Sequence, residues 1–173
     1  MRKKGSRKPY TQKKYIRGVK PSEITRFEFG EDKDYQLKVS LVSLQNGEIS
    51  DRALESFRVA VRRILTQTVE KAYYFKIKAY PHHITRRHKA LSFAGADRLS
   101  KGMRLSFGKV DGCAARVKRG QTISYVKGGL NTASFLKQAL HEGQGKLPLK
   151  TKIVVRGAGG ERGETSSNDS VGD

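Results

Sequence analysis

The chain has 173 residues, with 36 Lys+Arg against 16 Asp+Glu, a net charge of +20 and a pI near 10.3. That length suits one domain with tails and a single core. It holds no apolar run near the roughly 18 residues of a spanning helix, no signal-peptide h-region and a single cysteine, Cys113. These weaken a membrane reading, exclude an internal disulfide and leave no CxxC metal knuckle, and a reducing, cytoplasmic setting fits. A chain this cationic repels itself in water, so nucleic acid, an acidic protein or an anionic membrane would relieve a real cost. The charge is spread over the whole chain rather than along one amphipathic helix, which disfavours the membrane.

Residues 1–20 form a basic arm: Arg2, Lys3, Lys4, Arg7, Lys8, Lys13, Lys14, Arg17 and Lys20, with no acid among them. Tyr10 and Tyr15 interleave these cations, the composition of an arm that orders on RNA. Within the body, residues 21–156, Ile24 to Phe29 and Leu37 to Leu44 alternate apolar and polar residues and predict half-buried strands. Ser50 or Asp51 then caps a helix in which Ala53, Leu54, Phe57, Ala60, Val61, Ile64 and Leu65 recur at helical spacing. Arg58, Arg62 and Arg63 lie on or beside its opposite face, within reach of phosphates. Ala72 to Tyr80 returns to period two, and Pro81 ends it. Cys113–Val117 and Thr122–Val126 predict short strands on either side of Lys118-Arg119-Gly120. A second helix starts near Asn131 or Thr132, with Phe135, Leu136, Ala139 and Leu140 as its buried stripe, and Lys152–Val155 makes a final strand. The expected fold is α+β: two amphipathic helices packed on a mostly antiparallel sheet as a sandwich, with a long basic loop and flexible tails. Residues 157–173 carry Glu161, Glu164, Asp169 and Asp173 against Arg162, and predict a disordered acidic tail.

Residues 82–127 hold eleven basic side chains, among them Arg86, Arg87, Lys89, Arg98, Lys101, Arg104, Lys109, Arg116 and Lys118, against Asp97 and Asp111. Between Ala90 and Gly112 the chain lacks a sustained apolar period but contains Gly95, Gly102, Gly108 and Gly112. Glycine lets the backbone approach a ligand closely. Arginine supplies a planar fork for phosphates and lysine a mobile point charge. Arg98, Lys101, Arg104, Phe107 and Lys109 therefore suit irregular folded RNA, which is read by shape, phosphates and stacking. A reader of duplex DNA would more often present an exposed helix of base-reading side chains. Catalytic chemistry finds little support. His82, His83 and His88 stand among cations without HxxxH or CxxC spacing, so solvent- or RNA-facing roles fit them better than a metal. Asp97 next to Arg98 fits a loop-ordering salt bridge, Cys113 lacks a nearby base, and Gly108-Lys109 lacks the rest of a phosphate loop.

Several segments resemble a known family. They are Ala94-Gly95-Ala96-Asp97-Arg98-Leu99, Lys101-Gly102-Met103-Arg104, Phe107-Gly108-Lys109 and Ala115-Arg116-Val117, together with Lys8-Pro9-Tyr10-Thr11, Tyr15-Ile16-Arg17-Gly18-Val19 and Pro81-His82-His83-Ile84-Thr85-Arg86. These resemble the large-subunit ribosomal protein family L-ten-e, whose bacterial relative is L-sixteen, and the fit is to its archaeal branch. The likeness covers roughly residues 8–155. It implies a structural protein without catalytic residues, cofactor or metal, bound to large-subunit rRNA of the 23S type near the peptidyl transferase centre. It further implies a central loop, here Ala90–Gly112, directed toward tRNA in the A and P sites, with Arg86, Arg87, His88 and Lys89 at its base. The N-terminal arm would thread between rRNA helices. Neighbouring ribosomal proteins and a transient assembly factor are the implied protein partners; no homo-oligomer is expected. The chain departs from the family pattern at Leu105-Ser106, where Gly-Ala is usual, and at Val110-Asp111, where Pro-Gln is usual. Weighed beside this reading are an RNA-modifying or RNA-processing enzyme, which lacks an acid–base constellation, and a free nucleic-acid-binding regulator.

Overall fold

A computed structural model describes residues 12–69, 72–87 and 108–157. Among the described residues eight strands and two helices follow in chain order: β1 Glu28–Gly30, β2 Leu37–Ser43, β3 Gly47–Ser50, α1 Asp51–Thr68, β4 Tyr73–Ile77, β5 His83–Arg87, β6 Lys109–Val117, β7 Thr122–Gly128, α2 Ala133–Gln144 and β8 Thr151–Gly157. Short 3-10 turns occupy Lys13–Tyr15 and Leu130–Thr132. The strands form two sheets, β1-β4-β7-β2-β8 and β3-β6-β5, and every pairing within them is antiparallel. The expected α+β class with two helices against antiparallel strands is what the chain adopts, with the strands divided between two sheets.

α1 begins where its chemistry dictates. The Ser50 hydroxyl accepts from the Ala53 amide at 3.3 Å, a cap typically contributing about 1 kcal/mol. The buried Asp51 carboxylate accepts from the Arg52 amide at 2.9 Å and from the Glu23 amide at 3.3 Å, tying the preceding segment to the helix start. Leu54, Phe57, Val61 and Leu65 are fully buried on one stripe. They join Val39 and Leu41 of β2, Phe75 and Ile77 of β4, Val126 of β7 and Leu136, Ala139 and Leu140 of α2 in one core. Successive strand residues point to opposite faces, so this apolar parity turns the other parity of the five-stranded sheet away from the helices. The helices approach closely because of Gly143: a Cβ there would stand 2.5 Å from Val61 Cγ2 and 2.7 Å from Phe57 Cε2.

Several expectations are corrected. The strand expected over Ile24–Phe29 is confined to Glu28–Gly30. Ile24 plugs into the core instead, and pairing with β4 begins only where the Phe27 carbonyl accepts from the Ile77 amide at 2.9 Å. β3 and β5 were not anticipated, since each carries one isoleucine, Ile49 or Ile84, and owes its extension to β6. The basic loop expected to run to Gly112 ends sooner, because Lys109–Gly112 belong to β6 and pair with β5 from Arg87↔Lys109 onward. Phe135 is 41% exposed, so the buried stripe of α2 is Leu136, Ala139, Leu140 and Gly143. The rest of the loop and the acidic tail after Gly157 lie outside the described residues.

Candidate nucleic-acid interface

Much of the described part of the predicted RNA-contact set lies at or beside β5. The inner end of the basic arm docks there: Gln12 bridges His83, and the Lys13 amide donates to the His82 carbonyl at 3.0 Å. Lys13, Lys14 and Arg17 are exposed, as is His82, whose ring meets that of Tyr80 in a tilted contact at 4.5 Å. Lys14 lies over the Tyr15 ring at 4.8 Å. Further along β5, the Arg86 guanidinium donates to the Gly108 carbonyl at 3.1 Å, and Arg87 stands opposite Lys109. The ladder shifts register between Thr85 and Arg86. Such a bulge re-aims the side chain that follows it, here that of Arg86.

Two predicted contacts share one carboxylate of the body. His83 is 4% exposed, so it does not face solvent. Its Nε2 lies 3.6 Å from Glu48 Oε1, and the Arg116 guanidinium meets the same oxygen at 3.3 Å. Arg116 stands directly opposite Glu48 across β3 and β6, so the carboxylate holds it against the sheet. Lys118 is exposed in the β6–β7 turn, where its amide donates to Gln121 Oε1 at 2.9 Å. Arg2, Lys3, Lys4, Arg7, Lys8, His88, Lys89, Arg98, Lys101 and Arg104 lie outside the described residues. On α1, Arg58 is half-buried and paired with Glu55, and both Arg58 and Arg62 lie over the Phe29 ring, at 5.1 and 5.2 Å.

Cys113 is buried and its thiol is pushed up, first by burial and then by the nearby Asp51 charge. That environment disfavours the thiolate a nucleophile needs. Among the described residues no three His, Cys, Asp or Glu side chains group as metal ligands, and no helix is long and apolar enough to cross a membrane.

A second cationic surface escaped the sequence reading. On the outward face of the five-stranded sheet stand Lys38 (β2), Lys76 (β4), Lys127 (β7), and Lys152 and Arg156 (β8), with Lys78 just past β4. Their signal was present in part: Lys76 and Lys78 occupy the parity opposite Phe75 and Ile77. What sequence does not show is that Lys38, Lys127 and Arg156 become direct neighbours.

The chain is thus an α+β protein whose cations gather beside one sheet edge and across one sheet face. The profile of the family described as Ribosomal protein L16p/L10e matches residues 3–154. The chain belongs to that family, a family of ribosomal proteins and not of enzymes. It is similar to "Large ribosomal subunit protein uL16" of Hyperthermus butylicus, 44% identical over 149 residues, covering 85% of this chain and 83% of the relative. The protein of the same name from Metallosphaera sedula is 45% identical over 150 residues, covering 84% and 86%. That from Methanosphaerula palustris is 40% identical over 152 residues, covering 87% and 88%.

Proposed function

We propose that this chain is a structural constituent of the large ribosomal subunit, working in the cytoplasm on the ribosome. It binds 23S-type rRNA near the peptidyl transferase centre and the tRNA of the A and P sites. Its role is to neutralise phosphates where RNA segments crowd together, while peptide bond formation belongs to RNA. Family membership carries the reading; the cations around β5 support it by placing hydrogen-bond donors for phosphate oxygens along a sheet edge. In this reading residues 1–20 act as an RNA-threading arm, 21–156 as the RNA-binding body and 157–173 as an acidic tail. The basic segment that begins past Arg87 reaches toward tRNA through Arg98, Lys101 and Arg104. Neighbouring ribosomal proteins flank the body, and a transient assembly factor accompanies its late entry into the subunit.

The triple variant R98A/K101A/R104A tests the functional segment. Its salt dependence of binding to large-subunit rRNA should fall by about 3 in the slope of log K against log salt, about one per lost phosphate contact. Its stability should stay within about 0.5 kcal/mol of the parent, as for surface substitutions. An unchanged slope, or a stability loss the size of a core truncation, would contradict the assignment.

A further inference from the structure

The outward face of the five-stranded sheet carries an arrangement that folding alone does not favour. Lys127, Lys38 and Arg156 stand directly opposite one another on the adjacent strands β7, β2 and β8. With neighbouring strands about 4.8 Å apart, three like charges line up within about 10 Å. Like charges placed directly across a sheet destabilise it. The Lys38 ammonium registers the crowding: it is pushed down, first by burial and then by Lys78, Lys127 and Arg156.

Compensation covers only one side of this face. Lys76 pairs with Glu28 at 2.5 Å and Lys127 with Asp32 at 2.6 Å, both acids lying in or just after β1. Among the described residues Lys38, Lys78, Lys152 and Arg156 have no acidic partner. Lys38 and Lys78 instead share the Tyr125 ring, at 4.5 and 5.8 Å. Both ammonium groups thus lie over a ring that is 8% exposed, a contact that holds them at the surface of this face without neutralising their charge.

We propose that this outward face is a second phosphate-binding surface, taking the backbone of folded RNA across the Lys127–Lys38–Arg156 row with Lys78 and Lys152 beside it. The proposal rests on the ribosomal reading and adds a contact surface on the sheet not fed by the basic loop. An acidic protein is the less fitting occupant. Protein interfaces are anchored by exposed apolar and aromatic side chains. The large exposed hydrophobics Tyr15, Leu44, Val59, Tyr80, Leu130 and Phe135 all lie outside the strands of this sheet. Mobile ammonium groups over buried rings suit phosphates that are recognised by charge and spacing.

The test uses the full chain and large subunits stripped of this protein by high salt. The K38Q/R156Q variant is compared with the parent and with K137Q/K146Q, an equal loss of charge at exposed positions on and just after α2. The expected result is a salt slope lower by about 2 for K38Q/R156Q only. Its melting temperature should be equal or higher, because repulsion has been relieved. A slope equal to the parent's, or the same drop in K137Q/K146Q, overturns the proposal while leaving the ribosomal reading in place. Binding that survives ribonuclease digestion of the particles yet is lost in K38Q/R156Q overturns it in favour of an acidic protein. Failure of the parent itself to bind the stripped subunits removes the ribosomal reading and this inference with it.

Discussion

Replacing Phe57 with alanine is expected to lower the free energy of unfolding by about 3–5 kcal/mol, the range for a large aromatic removed from a core. Phe57 is fully buried on α1, its ring lies 6.1 Å from that of Phe75 in β4, and its edge packs where Gly143 admits α2. One side chain thus joins both helices to the five-stranded sheet. Collapse into the space is hindered because backbone bounds part of it and a sheet another part, so most of the cavity term persists. Urea unfolding checks this: the midpoint should fall with the slope m unchanged. A loss below about 1 kcal/mol would place the helix–sheet contact outside the stabilising core.

Gly30→Ala is expected to cost about 1–3 kcal/mol and, more tellingly, to release β1 from the sheet. Gly30 has φ +84°, a left-handed conformation, and a Cβ there would come 1.9 Å from the Tyr73 carbonyl oxygen. The obstacle is backbone, so relief requires β1 to move away from β4. With it would go the Glu28–Lys76 ion pair, the Tyr74 hydroxyl's hydrogen bond to Glu28 and the cover that Phe29 gives Phe75 at 6.3 Å. Hydrogen exchange reads this locally. Amides pairing β1 with β4 should lose protection while those pairing β2 with β7 keep theirs. Unchanged protection along β1 would contradict the clash.

The elements legible in the sequence are those that carry their own apolar period. α1 has both a capping serine and the Leu54, Phe57, Val61, Leu65 stripe, and β2, β4 and β7 alternate about Val39, Phe75 and Val126. β3 and β5 were illegible because their extension depends on the β6 ladder and on contacts distant in sequence. Phe135 misled because hydrophobicity marks a side chain without saying which flank of a stripe the sheet will cover; the position that belongs to the helix contact, Gly143, is silent to any hydrophobic reading. The candidate site divides the same way. Cations adjacent in sequence, such as Arg86 and Arg87, could be counted. Their engagement could not: Glu48 reaches His83 and Arg116 only through sheet register. The row of Lys38, Lys127 and Arg156 exists only once β7, β2 and β8 have paired.

Fractionation of a native lysate on a sucrose gradient in moderate salt, with detection of this chain, tests the central claim most directly. Co-sedimentation with the large subunit, with release only at high salt as phosphate contacts are screened, is the predicted result. Recovery of the chain only in the soluble fractions at the top of the gradient would contradict it.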